Sequence, residues 1–163
     1  MPDLAVLLLT IVTIISVGLI GGVFFIFSVT VMRALGRIPA PSAIAAMQEI
    51  NIVIVRSLFL AAFFGAALTS LILAVYAIAD WQQRPGAPWL LAGAIIYLVG
   101  SILLTMLRNV PLNNELAAVA PASPEGEAVW TRYLAEWTMW NHIRTIACIV
   151  ATACFTMALA DKL

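Results

Sequence analysis

Most side chains able to do proton-transfer or anion-binding chemistry fall in three short stretches. Met47–Arg56 reads MQEINIVIVR and holds Gln48, Glu49, Asn51 and Arg56. Arg108–Leu116 reads RNVPLNNEL and holds Arg108, Asn109, Asn113, Asn114 and Glu115. Trp130–Thr145 reads WTRYLAEWTMWNHIRT and holds the chain's one histidine, His142, between Asn141 and Arg144. An imidazole can take a proton near neutral pH. Arg56, Arg108 and Arg144 could hold an enolate or another anion. A metal centre would set His142 against Glu49, Glu115 or Glu136, but no H-x-x-H or E-x-x-H spacing supports one. A haem on a lone histidine has no better support, and the chain carries no nucleotide-binding glycine loop. The expectation is a site without metal.

The elements that must position these groups are membrane helices. Of 163 residues, 64% are hydrophobic and 10% charged, against about 25% charged in an ordinary soluble domain. Mean hydropathy is +1.08. A soluble chain this short cannot enclose so much apolar surface, whereas lipid lets it face outward. Four apolar runs, about residues 4–32, 48–79, 89–110 and 137–160, each approach or exceed the roughly 18 to 20 residues needed to cross a bilayer. The expected fold is all-α, an antiparallel four-helix transmembrane bundle in a single domain with short loops. Asp3 and no Lys or Arg precede the first run, which is too long for a signal-peptide core and reads as a retained span. Pro39 and Pro41 break the chain before span two, with Ser42 as a candidate cap; Ser123 and Pro124 mark a helix start before span four. Gly18 with Gly22, Ala61 with Gly65, and Gly93 with Gly100 have spacings that permit close helix approach. Such pairs also leave room for a homo-oligomer. Cys148 and Cys154 are six apart on one helix and cannot readily bridge.

Four spans return the chain to its starting side, here side A. All three polar stretches then lie on the opposite side, B. Side A keeps only Asp3, Asp80, Arg84, Asp161 and Lys162 as formal charges. Glu49, Ile52 and Arg56 share a helix face, as do Trp137, Asn141 and Arg144. Trp89, Trp130 and Arg132, taken singly, read as an interfacial belt. Arg56 and Arg144 with Asn51, Asn141 and His142 exceed what anchoring requires. A charge at depth is costly unless paired, hydrated or snorkelling, so these residues and Asn113 are expected to face one cavity between spans two, three and four. Arg144 would pair there with Glu49 or Glu136. His142 is the least secure, because it points about 100° around the helix from Asn141. Arg33, Arg37, Arg108 and Arg132 on side B outnumber Arg84 and Lys162 on side A. Side B is therefore expected to face the cytoplasm, across the cell's inner (plasma) membrane. Zero net charge argues against nucleic acid; the expected partners are membrane lipid and a lipophilic small molecule.

The three stretches, together with GGVFFIFSVTVMRAL at Gly21–Leu35, resemble the DUF1772 family of anthrone oxygenase-like integral membrane proteins. The resemblance runs from about Val6 to Ala160, and VPLNN followed by W-x-x-x-N-H-x-R is its most specific part. It implies oxidation of an anthrone to an anthraquinone by molecular oxygen, with no added cofactor. Carried onto this chain, it implies Gln48, Asn51, Arg108, Asn109, Asn113, Asn114 and Trp137 as substrate-binding candidates, with Arg56 beside them. His142, Arg144 and Asn141 become the catalytic candidates, with His142 as base and an arginine and asparagines holding the enolate oxygen. Two other classes stay open: a non-catalytic membrane binding or assembly protein, and a small transporter. The transporter would need polar residues through the full depth of the spans, and their side-A halves offer almost none.

Overall fold

The computed structural model describes residues 2–161, and no strand occurs among them. Four helices are long and apolar enough to cross a membrane: α1 (Leu4–Leu35), α3 (Leu58–Ala79), α4 (Ala87–Ala117) and α5 (Pro124–Ala160). A shorter helix, α2 (Ala40–Ile54), stands between the first two. The protein is an all-α, integral membrane four-helix bundle. Helix α1 packs on α3 and α5, and α4 packs on α3 and α5, closing the bundle. Large apolar side chains such as Leu19, Leu68, Ile78, Ile95 and Ile149 remain exposed on its outside, as lipid-facing surface must.

The run expected as one span from residue 48 is two helices. Ser57 divides them: its hydroxyl donates to the Ile54 carbonyl (2.7 Å), which ends α2, and accepts from the Phe59 amide (3.3 Å), which starts α3. A serine hydroxyl can satisfy a helix end locally in this way. With 15 residues α2 is too short to cross a bilayer. It packs instead on the side-B ends of α4 and α5. It begins after Pro39 with no side-chain cap, so Ser42 does not cap it. Ser123 does cap α5, accepting from the Gly126 amide at 3.0 Å with Pro124 at the first position. At 37 residues α5 is about 55 Å long, well beyond the hydrocarbon thickness.

That extra length creates two cores. The bundle core is apolar and includes Val17, Ile20, Phe63, Leu73, Leu90, Tyr97 and Phe155. A second core on side B gathers Met32, Ile44 and Met47 against Leu112, Leu116, Trp130, Tyr133 and Trp137. Trp130 is thus a buried core residue and not part of an interfacial belt. Trp89 is exposed at side A, donating to Asp161 (3.0 Å). Arg132 is exposed and paired with Glu115.

Helix approach is set by other glycines than the closest-spaced pairs. A Cβ at Gly18, Gly22 or Gly65 would meet open space, whereas one at Gly21 would lie 2.9 Å from the Cys148 Cβ and one at Gly100 2.6 Å from the Ala147 Cβ. Gly100→Val should therefore overpack the α4–α5 seam and destabilise by about 1–3 kcal/mol. Thermal unfolding in detergent should show the drop, with Gly22→Val unchanged. Both cysteines are buried and free.

Candidate functional site

Three wide, π-helical turns interrupt the spans: Phe27–Val31 in α1, and Leu98–Leu103 and Thr105–Asn109 in α4. Such turns re-aim side chains and concentrate at functional sites. Pro111 follows the last of them and lacks the N–H that an α-turn would use. Here the turns carry Ser28 and Thr105, whose hydroxyls meet polar groups of α5.

The centre of that network is Arg144, only 4% exposed. Its Nη1 donates to Thr105 Oγ1 (3.0 Å) and its Nη2 to Asn141 Oδ1 (2.6 Å). Asn141, wholly buried, donates through Nδ2 to the Phe24 carbonyl and to Ser28 Oγ, each at 2.7 Å. The guanidinium lies over the Phe24 ring at 4.2 Å and near Trp137 at 5.3 Å. Its Nε has no acceptor. Among the described residues no carboxylate pairs with it. Glu49 and Glu136, its expected partners, are both exposed. A desolvated charge left without a counterion is costly, and an anion arriving beside it would be bound strongly.

Arg144 borders a cavity of about 130 Å³ at the joint between the two cores. Phe24 and Phe27 of α1, Phe59 and Phe63 of α3, and Trp137 of α5 make its aromatic walls. Its polar lining is Asn51, Thr105, Asn113 and Arg144. Both the Tyr133 hydroxyl (2.8 Å) and Trp137 Nε1 (2.9 Å) donate to Asn113 Oδ1. With the carbonyl so engaged, Asn113 has its NH2 left to offer. The Asn51 Nδ2 is buried and has no hydrogen-bond acceptor. The cavity's two buried, unsatisfied atoms, Asn51 Nδ2 and Arg144 Nε, are both donors.

The structure therefore brings Asn51, Asn113, Trp137 and Arg144 together, with Asn141 directly behind Arg144. It separates the others. His142 is exposed and lies on another face of α5, in a groove with Arg33 and Arg37. Arg56 is exposed at the break between α2 and α3. Neither lines the cavity, so neither shares it with Arg144 as the cost of placing charge at depth had suggested. Gln48 ties α2 to the end of α4, donating to the Leu116 (2.8 Å) and Val119 (3.0 Å) carbonyls. Asn109 is buried and donates to the Trp137 carbonyl at 3.3 Å. Arg108 is exposed, with its guanidinium 4.8 Å from the Trp140 ring centre, and Asn114 is exposed. Sequence reading missed Ser28 and Thr105. Each is an isolated hydroxyl in an apolar run, which is the signal that could have found them.

Among the described residues no three His, Cys, Asp or Glu side chains come together. No curated protein matches the chain, and no solved structure does. The sequence pattern of the family described as anthrone oxygenase matches residues 55–154. That stretch takes in α3, α4 and most of α5, and with them Thr105, Asn113, Trp137, Asn141 and Arg144. The chain belongs to the anthrone oxygenase family.

Proposed function

We propose that this protein is a membrane-embedded oxygenase that oxidises a lipophilic, anthrone-like aromatic with molecular oxygen, without an added cofactor. The observation that carries this reading is Arg144, a buried guanidinium with no carboxylate partner facing an aromatic cavity. An anthrone methylene becomes nucleophilic when the ketone enolises. Arg144, assisted by the Asn51 and Asn113 amides, would hold the enolate oxygen and lower the cost of forming it. The lining contains neither carboxylate nor imidazole, so the chain's contribution is anion stabilisation and the proton passes to water. The enolate carbon then bonds to oxygen, and the resulting hydroperoxide collapses to a carbonyl with loss of water. The balance is CH2 + O2 → C=O + H2O, with both electron pairs from the substrate.

The cavity size sets how such a substrate enters. A cavity of about 150 Å³ binds one benzene, so one of about 130 Å³ has room for at most one ring of a fused tricycle. Val55 and Val110 line it and are exposed, so the remaining rings would extend past them toward lipid. A transporter finds less support. In the side-A half of α1 the buried Thr10 and Thr13 hydroxyls are engaged by their own helix's carbonyls, so they offer nothing to a passing solute.

Protein in nanodiscs, mixed with an anthrone, should consume one O2 per quinone formed. His142→Ala should keep this activity, because His142 lies outside the cavity. No quinone above the protein-free rate would instead favour a non-catalytic binding or assembly role. For orientation, the arginines of side B support a cytoplasmic side B in an inner membrane; Lys162, counted for side A, lies outside the described residues. Ser42 is exposed on side B. A cysteine placed there should resist an impermeant thiol reagent in intact cells, and labelling from outside would reverse the assignment.

A further inference from the structure

We propose that a second site, the groove between the side-B end of α1 and the middle of α5, binds a phosphate group at the membrane surface, carried by an anionic phospholipid. Arg33 and Arg37 stand one turn apart on one wall, and Thr138 and His142 one turn apart on the other. The groove holds about 360 Å³ and shares no lining residue with the aromatic cavity. No carboxylate lines it. Among the described residues neither arginine has an ion pair. Thr138 Oγ1 is buried without a hydrogen-bond partner. Two guanidinium groups and an imidazole match the acceptor oxygens of a phosphate.

Position and shape point to a lipid as the carrier. The apolar run of α1 ends at Met32, so Arg33 is the first charge above the hydrocarbon. Phospholipid phosphates occupy that level, and basic pockets between transmembrane helices take anionic headgroups. Met32 and Leu134 give the groove an apolar floor suited to a glycerol backbone and the start of an acyl chain. Gly36 keeps it open, because a Cβ there would come within 3.0 Å of the Leu134 side chain.

Native mass spectrometry of detergent-released protein, loaded with phosphatidylglycerol or phosphatidylcholine, tests the site. The wild type should retain phosphatidylglycerol preferentially. Arg33→Ala with Arg37→Ala should weaken that retention roughly thirtyfold, from two lost charges near an anionic surface. Arg132→Ala, which removes a side-B arginine elsewhere, should leave it unchanged. A parallel arm titrates inorganic phosphate into lipid-free protein and follows the thermal midpoint. Stabilisation there that depends on Arg33 and Arg37, without lipid selectivity, assigns the site to free phosphate. Both arginines are exposed, so the double variant should fold; Arg33→Gln with Arg37→Gln provides a second version. Equal retention of both lipids by wild type and variants, with no phosphate effect, overturns the proposal.

Discussion

Arg144→Met should lower turnover of an anthrone by about 10³ or more while leaving the thermal midpoint unchanged or raised. The two effects separate because the arginine's cost and its use differ. Removing one preorganised donor to a developing oxyanion typically costs about 10²–10³ in kcat, and here a full charge is lost with the donor. For the fold, a buried ion carries a desolvation penalty of several kcal/mol, and an apolar side chain of similar volume removes it. Against that gain, Asn141 Oδ1 loses the Arg144 Nη2 donor, at about 1–3 kcal/mol. Thr105 keeps its own bond to the Ser101 carbonyl (2.6 Å). Arg144→Lys should recover only part of the activity, because an ammonium cannot reproduce the forked contacts to Thr105 and Asn141. Activity equal to wild type in Arg144→Met, measured as initial quinone formation, would remove the arginine from the chemistry.

Asn141→Leu should do the reverse, unfolding the protein about 3–5 kcal/mol more easily. Asn141 bridges α1 to Arg144, and its loss leaves a buried charge short of a partner. Ser28 Oγ and the Phe24 carbonyl lose their cross-helix donor as well. Asn141→Asp discriminates further. It preserves an acceptor for Arg144 but supplies the counterion that the native site lacks, and sets a carboxylate against the Phe24 carbonyl. Anion binding should fall even where the protein still folds. Thermal unfolding and quinone formation, measured on both variants, check the pair. A Leu variant as stable as wild type would show that Asn141 does not hold the helices together.

The sequence reading reached the bundle and the mouth where polar residues collect, because both follow from where apolar runs stop. It also placed Trp137, Asn141 and Arg144 on one helix face, yet it set His142 in the same cavity although that spacing turns it away. What it could not reach has physical causes. Val55–Ser57 ends one helix and begins another without a glycine or proline, through one serine hydroxyl that bonds in both directions. Wide turns at Phe27–Val31 and Thr105–Asn109 shift side-chain register by an amount no residue type announces. Gly18 and Gly22 have the packing spacing, yet Gly21 faces α5, because spacing alone does not say which side of α1 the bundle occupies. The pairing expected for Arg144 assumed that a buried charge must be neutralised by the protein. Glu115 and Arg132 pair at the surface instead, and Arg144 is left with neutral partners.

Whether Arg144 holds the substrate's enolate can be read without turnover, from an anaerobic absorbance measurement. Wild-type protein in nanodiscs, mixed with an anthrone under argon at neutral pH, should shift the bound substrate to its enolate spectrum, and Arg144→Met should leave it as the ketone. A substrate that binds as the ketone in both proteins, with equal affinity, would contradict the account.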